Sequence, residues 1–164
     1  MTGGPRIYLD TNSFIFAIEE ASVRSDLLNA LFDISVRGSN QLLVTSELAL
    51  AELLVKPFRT GMHDLVRRYD DVIRTDTWLD VYPVNRAVLW RAAELRSVSK
   101  LKIADSIHFS TAQITNCTHF MTADGDFASL SALPLPTGML PPARIAIVRP
   151  DIPTLTTLLE SLSP

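Results

Sequence analysis

Three aspartates lie where a parallel sheet would gather them. Asp10 closes the short apolar run Ile7-Tyr8-Leu9, and Asn12 can then cap a following helix. Asp105 stands in the first turn of a helix predicted from Ile103 to Asn116, and Asp124 lies just past a strand predicted from Thr118 to Thr122. In an open α/β sheet, a charge at the carboxyl end of a buried strand faces the crevice where ligands bind. Each residue also has an ordinary role. Asp10 can turn the chain, Asp105 can complement a helix dipole, and Asp124 with Asp126 can cap a short helix. Those roles predict no convergence, whereas the chain's layout directs all three aspartates to one edge. Glu52 lies deeper in its helix, roughly 9 Å from the capping residue, and its longer side chain can still reach a crevice. Its ordinary alternative is an ion pair with Lys56.

Gathered carboxylates imply a particular chemistry. Two like charges about 4 Å apart repel by roughly 4 kcal/mol at an effective dielectric near 20. Such a cluster persists when a cation sits in it or when some members are protonated. Oxygen ligands select a hard ion, Mg²⁺ or Mn²⁺, which keeps waters and takes a substrate phosphate. That ion can generate a hydroxide nucleophile and stabilise the leaving oxygen, which amounts to hydrolysis of a phosphate ester.

The elements that must position these acids follow in order. Helices are predicted for Ser13 to Glu20 and Ser22 to Arg37, the second using Leu27, Leu28, Leu31, Phe32 and Ile34 as its apolar side. Gly38 stands where a left-handed helix stop is wanted. A strand from Gln41 to Val44 leads to Thr45 or Ser46 as the cap of a helix from Glu47 to Val55, which Pro57 ends. Phe58 to Ile73 forms another helix, with Arg67, Arg68, Asp70 and Asp71 on its wet side. Trp78 to Val84 is a strand, and Asn85 caps a helix to about Val98. After the strand at Thr118, Asp124-Gly125-Asp126 turns into a short helical piece from Phe127 to Leu130. A proline-rich loop, Leu133 to Pro142, precedes a last strand from Arg144 to Val148 and a closing helix from Pro153 to Leu162. Strands alternating with helices predict a parallel sheet covered on both faces, with all carboxyl ends along one edge.

Composition narrows the class. A chain of 164 residues, 47% apolar and 20% charged, reads as one globular domain. Cys117 is the single cysteine, so no intrachain disulfide forms, and it is expected as a buried thiol. No membrane-spanning run and no signal-peptide core are found, so the expected location is the cytoplasm. The net charge of −3 gives no global attraction to nucleic acid. Locally, Arg86, Arg91, Arg96, Lys100 and Lys102 face only Glu94, which makes either a phosphate-facing surface or a solvated helix face.

The sequence resembles PIN-domain ribonucleases, most closely the VapC-type toxins of toxin–antitoxin pairs. The resemblance rests on Tyr8-Leu9-Asp10-Thr11-Asn12, on Thr45-Ser46 with Glu52, on Ala104-Asp105-Ser106 with Ala112, and on Thr122-Ala123-Asp124-Gly125-Asp126-Phe127. It runs in order and spacing from about Ile7 to Val148. It implies a three-layer α/β/α fold with a mainly parallel, roughly five-stranded sheet, as a single PIN domain over residues 1–164. The core would span about 7–148, with a short carboxyl-terminal extension at 149–164. It also implies Mg²⁺- or Mn²⁺-dependent cleavage of RNA, leaving a 5′-phosphate and a 3′-hydroxyl. Asp10, Glu52, Asp105 and Asp124 match the acidic metal-binding set, and Asp126 an auxiliary acidic position of variable identity. Thr11 and Thr122 match supporting hydroxyls beside the site. The likeness selects Glu52 over Glu47, which lies about 140° away around the helix. Implied partners are the RNA substrate, a small antitoxin and a second copy of the chain.

Other readings differ in what they require. A stand-alone PIN nuclease in RNA processing would use the same acids. A phosphatase of the haloacid-dehalogenase type would use Asp10 as nucleophile but wants an acid at position 12, where Asn12 stands. Metal-free RNA cleavage needs paired histidines, and His63, His108 and His119 show no spacing that pairs them. His108, one turn after Asp105, reads as a packed helix residue. A PIN domain that binds RNA or protein without cleaving would not need the full set of acids.

Overall fold

The computed structural model describes residues 4–38, 42–132 and 144–162. Strands β1 (Ile7–Leu9), β2 (Leu43–Ser46), β3 (Leu79–Tyr82), β4 (His119–Met121) and β5 (Ala146–Val148) form one five-stranded sheet. Its order is β3-β2-β1-β4-β5, and every pairing is parallel. Ile7, Tyr8 and Leu9 are all fully buried, as expected of a central parallel strand covered on both faces.

Strand alternation divides the core into two layers. Ile7, Leu9, Leu43, Leu79 and Met121 face one side, where they meet Phe14 and Ala17 of α1 (Thr11–Glu19) and Leu28 and Leu31 of α2 (Val23–Arg37). Leu53 of α3 (Glu47–Thr60), Leu65 and Tyr69 of α4 (His63–Val72) and Leu155 of α7 (Ile152–Leu162) complete that side. Tyr8, Val44 and Phe120 face the other, against Phe109 and Ala112 of α6 (Ile103–Ile114). Helix α5 (Arg86–Ser97) packs on α6 through Val88, Ala92 and Ile107. The expected α/β/α sandwich is therefore present. Cys117 is buried, and among the described residues no helix is long and apolar enough to cross a membrane.

Several local expectations need correction. Asp10, rather than Asn12, caps α1, because its carboxylate accepts the Thr11 N–H directly. The second strand extends to Ser46, which both ends β2 and caps α3 by accepting the Leu48 N–H at 3.1 Å. Gln41, where that strand was expected to begin, lies outside the described residues, as do residues 133–142 of the proline-rich loop. Gly38 is extended (φ −74°, ψ 153°), so it is not a left-handed stop.

Pro57 does not end α3. Proline removes its own N–H donor but leaves later residues free to continue the helix, and α3 runs on to Thr60 with Pro57 buried inside it. The stop is Gly61, in the left-handed region at φ 69° and ψ 23°. The Met62 N–H then bonds the Pro57 carbonyl at 2.9 Å. The next helix accordingly starts at His63 instead of Phe58.

A methyl group on Gly61 would meet no heavy atom within 4 Å, so a side chain there costs only backbone energy. Gly61→Ala should lower stability by about 1–2 kcal/mol through the left-handed φ alone. Thermal unfolding would register this as a loss of several degrees; an unchanged melting temperature would mean the turn relaxes to another conformation.

Candidate metal centre at the carboxyl edge of the sheet

The strand order creates the site. The chain builds outward from β1 through β2 to β3, then returns to place β4 on the opposite flank of β1. The reversal puts a topological switch point between β1 and β4, where the connections diverge and a crevice opens. Asp10 follows β1 directly, and Asp124 lies three residues past the end of β4.

Asp10 is nearly buried, with 7% of its surface exposed, and both carboxylate oxygens are engaged. Oδ1 accepts the Thr11 N–H at 2.7 Å, and Oδ2 accepts the hydroxyl of the fully buried Thr122, also at 2.7 Å. The same Thr122 oxygen accepts the Asp124 N–H at 3.1 Å. One hydroxyl thus ties the end of β1 to the turn after β4. Asp124 Oδ1 in turn accepts the Asp126 N–H at 2.9 Å. Below this turn Phe127 is fully buried, its ring centroid 4.7 Å from Phe120, which stacks on Tyr8 at 5.1 Å. These aromatic contacts pin the acidic turn to the sheet, at roughly 0.5–1.5 kcal/mol per pair beyond burial itself.

Asp105, in the first turn of α6, completes a three-carboxylate group. One oxygen each from Asp105, Asp124 and Asp126 lie within 4.8 Å of one another. Asp105 and Asp124 are half-buried, and Asp126 is exposed. Burial first, then the charges of Asp124 and Asp10, push the Asp105 carboxyl above its usual range against the opposing pull of His108 and Lys102. A set of three clustered carboxylates suits a hard divalent cation, and these residues could hold one.

Glu52 is arranged differently. It does not pair with Lys56, which instead reaches Glu19 at 2.8 Å. Glu52 Oε2 accepts the Thr11 hydroxyl at 2.5 Å and lies 2.7 Å from Nε2 of His108. Burial raises the Glu52 carboxyl, but the hydrogen bond and charge of His108, with the Thr11 hydroxyl, leave it below the usual range. His108 Nε2 is also 3.8 Å from Asp10 Oδ1, so the imidazole stands between two carboxylates. Burial lowers the imidazole pKa most strongly, yet the Glu52 bond and the charges of Asp10, Glu52 and Asp105 together carry it above its ordinary value.

His108 is therefore more than the packed helix residue expected from sequence. Its position three residues after Asp105 puts both on one helix face, and that spacing was the available signal. Arg149 was also missed. A methyl group on Gly125 would sit 3.7 Å from its Nη2, so this exposed guanidinium borders the acidic turn. The predicted basic surface is partly used internally. Arg91 bonds Gln113 and Glu94, and Arg96 donates to the Leu101 carbonyl, while Arg86, Lys100 and Lys102 are exposed. Glu47 is exposed in the first turn of α3.

Residues 7–133 match the PIN domain family. The chain belongs to the PIN domain family. Solved structures sharing the PIN fold include a toxin–antitoxin complex from Klebsiella pneumoniae, at 18% identity and a TM-score of 0.60, covering 89% of this chain and 98% of that one. The sarcin-ricin loop cleaving toxin VapC20 of Mycobacterium tuberculosis matches at 20% identity and a TM-score of 0.57, over 76% of this chain and 94% of that one. VapBC2 from Rickettsia felis, bound to a promoter DNA fragment, matches at 15% identity and a TM-score of 0.58, over 87% and 98%. Comparison with curated protein sequences finds no match.

The raised Asp105 pKa makes a signed prediction for the metal-free PIN domain. The folded state holds this proton more tightly than the unfolded chain, so Asp105 costs stability once pH exceeds its folded pKa. Metal-free Asp105→Asn should melt slightly above the wild type at neutral pH. That advantage should shrink as pH falls through the raised pKa and disappear below about 3.9, the unfolded value. A variant that melts lower at neutral pH would show that attraction, not repulsion, governs Asp105.

Proposed function

We propose that this PIN domain is a metal-dependent endoribonuclease and the toxin of a toxin–antitoxin pair. The observation that carries the reading is the grouping of Asp105, Asp124 and Asp126 beside Asp10 at the sheet's switch point. Asp105, Asp124 and Asp126 would hold the ion, with Asp10 and Glu52 flanking it. A bound Mg²⁺ or Mn²⁺ supplies activation of water and neutralises charge on the phosphate and leaving oxygen.

The chain's own residues supply the frame for that reaction. Thr122 and the Thr11 N–H fix both oxygens of Asp10, and the Thr11 hydroxyl holds Glu52. Exposed Asp126 leaves the cluster open to a polymeric substrate. Arg149, beside the acidic turn, offers a cation to an adjoining phosphate of the RNA strand. Attack by water on phosphorus breaks the P–O3′ bond, giving a 5′-phosphate and a 3′-hydroxyl. An aspartyl-phosphate mechanism is disfavoured, because Asp10 is buried and both of its oxygens already accept hydrogen bonds.

The toxin reading draws on structural neighbours that belong to toxin–antitoxin systems. Val55 and Phe58 on α3, with Leu89 and Trp90 on α5, are exposed apolar side chains that a small antitoxin or a second copy would cover. A stand-alone PIN nuclease is the competing reading, and it uses the same carboxylates.

Two experiments test these points separately. With Mn²⁺, the purified chain should cut single-stranded RNA; EDTA should abolish cleavage, and Asp10→Asn or Asp124→Asn should reduce it at least about 100-fold. Cleavage that persists in EDTA would overturn the metal mechanism. Expression in a bacterial host should arrest growth, and Asp10→Asn should relieve the arrest. Unimpaired growth alongside a demonstrated RNase activity would favour the stand-alone nuclease.

A further inference from the structure

Tyr8, His108 and Glu52 form a continuous hydrogen-bonded line from the sheet's interior to its carboxyl edge. Tyr8 is fully buried on β1, and its hydroxyl lies 2.7 Å from His108 Nδ1. Nε2, on the far side of the same ring, lies 2.7 Å from Glu52 Oε2. The His108 side chain is 1% exposed, and Glu52 is 35% exposed at the end of the line.

The chemistry of the ends sets the direction of the bonds. An ionised carboxylate only accepts, so the proton between His108 and Glu52 resides on Nε2. Deep burial keeps Tyr8 a neutral phenol, able to donate to Nδ1 of a neutral imidazole or accept from an imidazolium. In both cases Nε2–H points at Glu52. The ring has little freedom to turn away. Its plane meets the Tyr8 ring edge-on at 67°, and Tyr8 itself lies flat on Phe120 with an interplanar angle of 3°.

We propose that His108, backed by Tyr8, is a positioning residue that aims Glu52 at the metal centre. This rests on reading the carboxyl edge as a metal-dependent active site. Glu52 stands on a different helix from Asp105, and a free glutamate there would sample several rotamers. His108 and Thr11 both engage Oε2, and Oε1 has no hydrogen bond from the described residues. The second oxygen is thereby presented for an ion or its water. Nε2 also lies 3.8 Å from Asp10 Oδ1, beyond hydrogen-bond reach, so the imidazole stands between the two carboxylates while its N–H is directed at Glu52.

Two substitutions separate positioning from packing. The amide nitrogen of glutamine can occupy the place of Nε2, whereas asparagine reaches only as far as Nδ1. His108→Gln therefore keeps a donor to Glu52, and His108→Asn keeps only the Tyr8 side. In the full-length protein, Mn²⁺ affinity by calorimetry should fall about tenfold or more in His108→Asn and less than about threefold in His108→Gln. The two variants should lose similar thermal stability. Equal Mn²⁺ affinity in both variants would overturn the proposal, because a packing role makes no such distinction. A metal-free readout stands beside this one. Long-range ¹⁵N NMR of the wild type should find His108 Nε2 protonated, with a signal that moves in Glu52→Gln. An unprotonated Nε2 would overturn the proposal. Should the wild type bind no Mn²⁺, the metal reading fails, while the imidazole spectrum still decides whether His108 holds Glu52.

Discussion

Repulsion among carboxylates is the constraint on which this edge of the protein depends. Burial first, then the charges of Asp124 and Asp10, raise the Asp105 pKa, and Asp126 lies within the same group. Side chains so disposed would separate unless the backbone were held rigidly. Rigidity comes from below, where β1 is buried on both faces and β4 lies directly against it. It also comes from within the site. The Thr122 hydroxyl donates a hydrogen bond to Asp10 and accepts one from the Asp124 N–H, locking two acids through a single oxygen.

The rest of the fold can be understood as support for that edge. Helix α1 starts at the acid that caps it, so Asp10 serves the helix and the crevice with one carboxylate. Phe127, buried among Phe120 and Phe109, anchors the turn bearing Asp124 and Asp126. Helix α3 brings Glu52 in from the other side, and Gly61 rather than Pro57 decides where that helix ends. At 15–20% identity the similar solved structures share the overall fold. A fold can persist at such divergence because it needs buried apolar residues of suitable size more than particular ones.

Helix boundaries show where local reading reaches its limit. Asn85 was recognisable as a cap and accepts the Val88 N–H, whereas Ser22, expected as the first helical residue, is itself the cap of α2 and accepts the Ser25 N–H. Gly38 and Gly61 carry the same residue type after a helical run, yet only Gly61 adopts the left-handed conformation. Pro57 is tolerated because it costs α3 one hydrogen bond while its ring is buried.

The sequence by itself determined the class of fold and the edge at which Asp10, Asp105 and Asp124 gather. Those inferences rest on short-range signals: an apolar run ending in an acid, a capped helix, and strands alternating with helices. Parallel topology then carries the strand ends to one side. Only the tertiary structure decided what Glu52 touches. Along its own helix Lys56 was the obvious partner, but Lys56 turns to Glu19, and Glu52 meets Thr11 and His108 instead. The Tyr8–His108 bond joins residues 100 positions apart, and no local pattern encodes such a pair. Their contact exists because β1 and α6 pack together, and burial then requires their polar atoms to find partners inside the protein, one another and Glu52 among them.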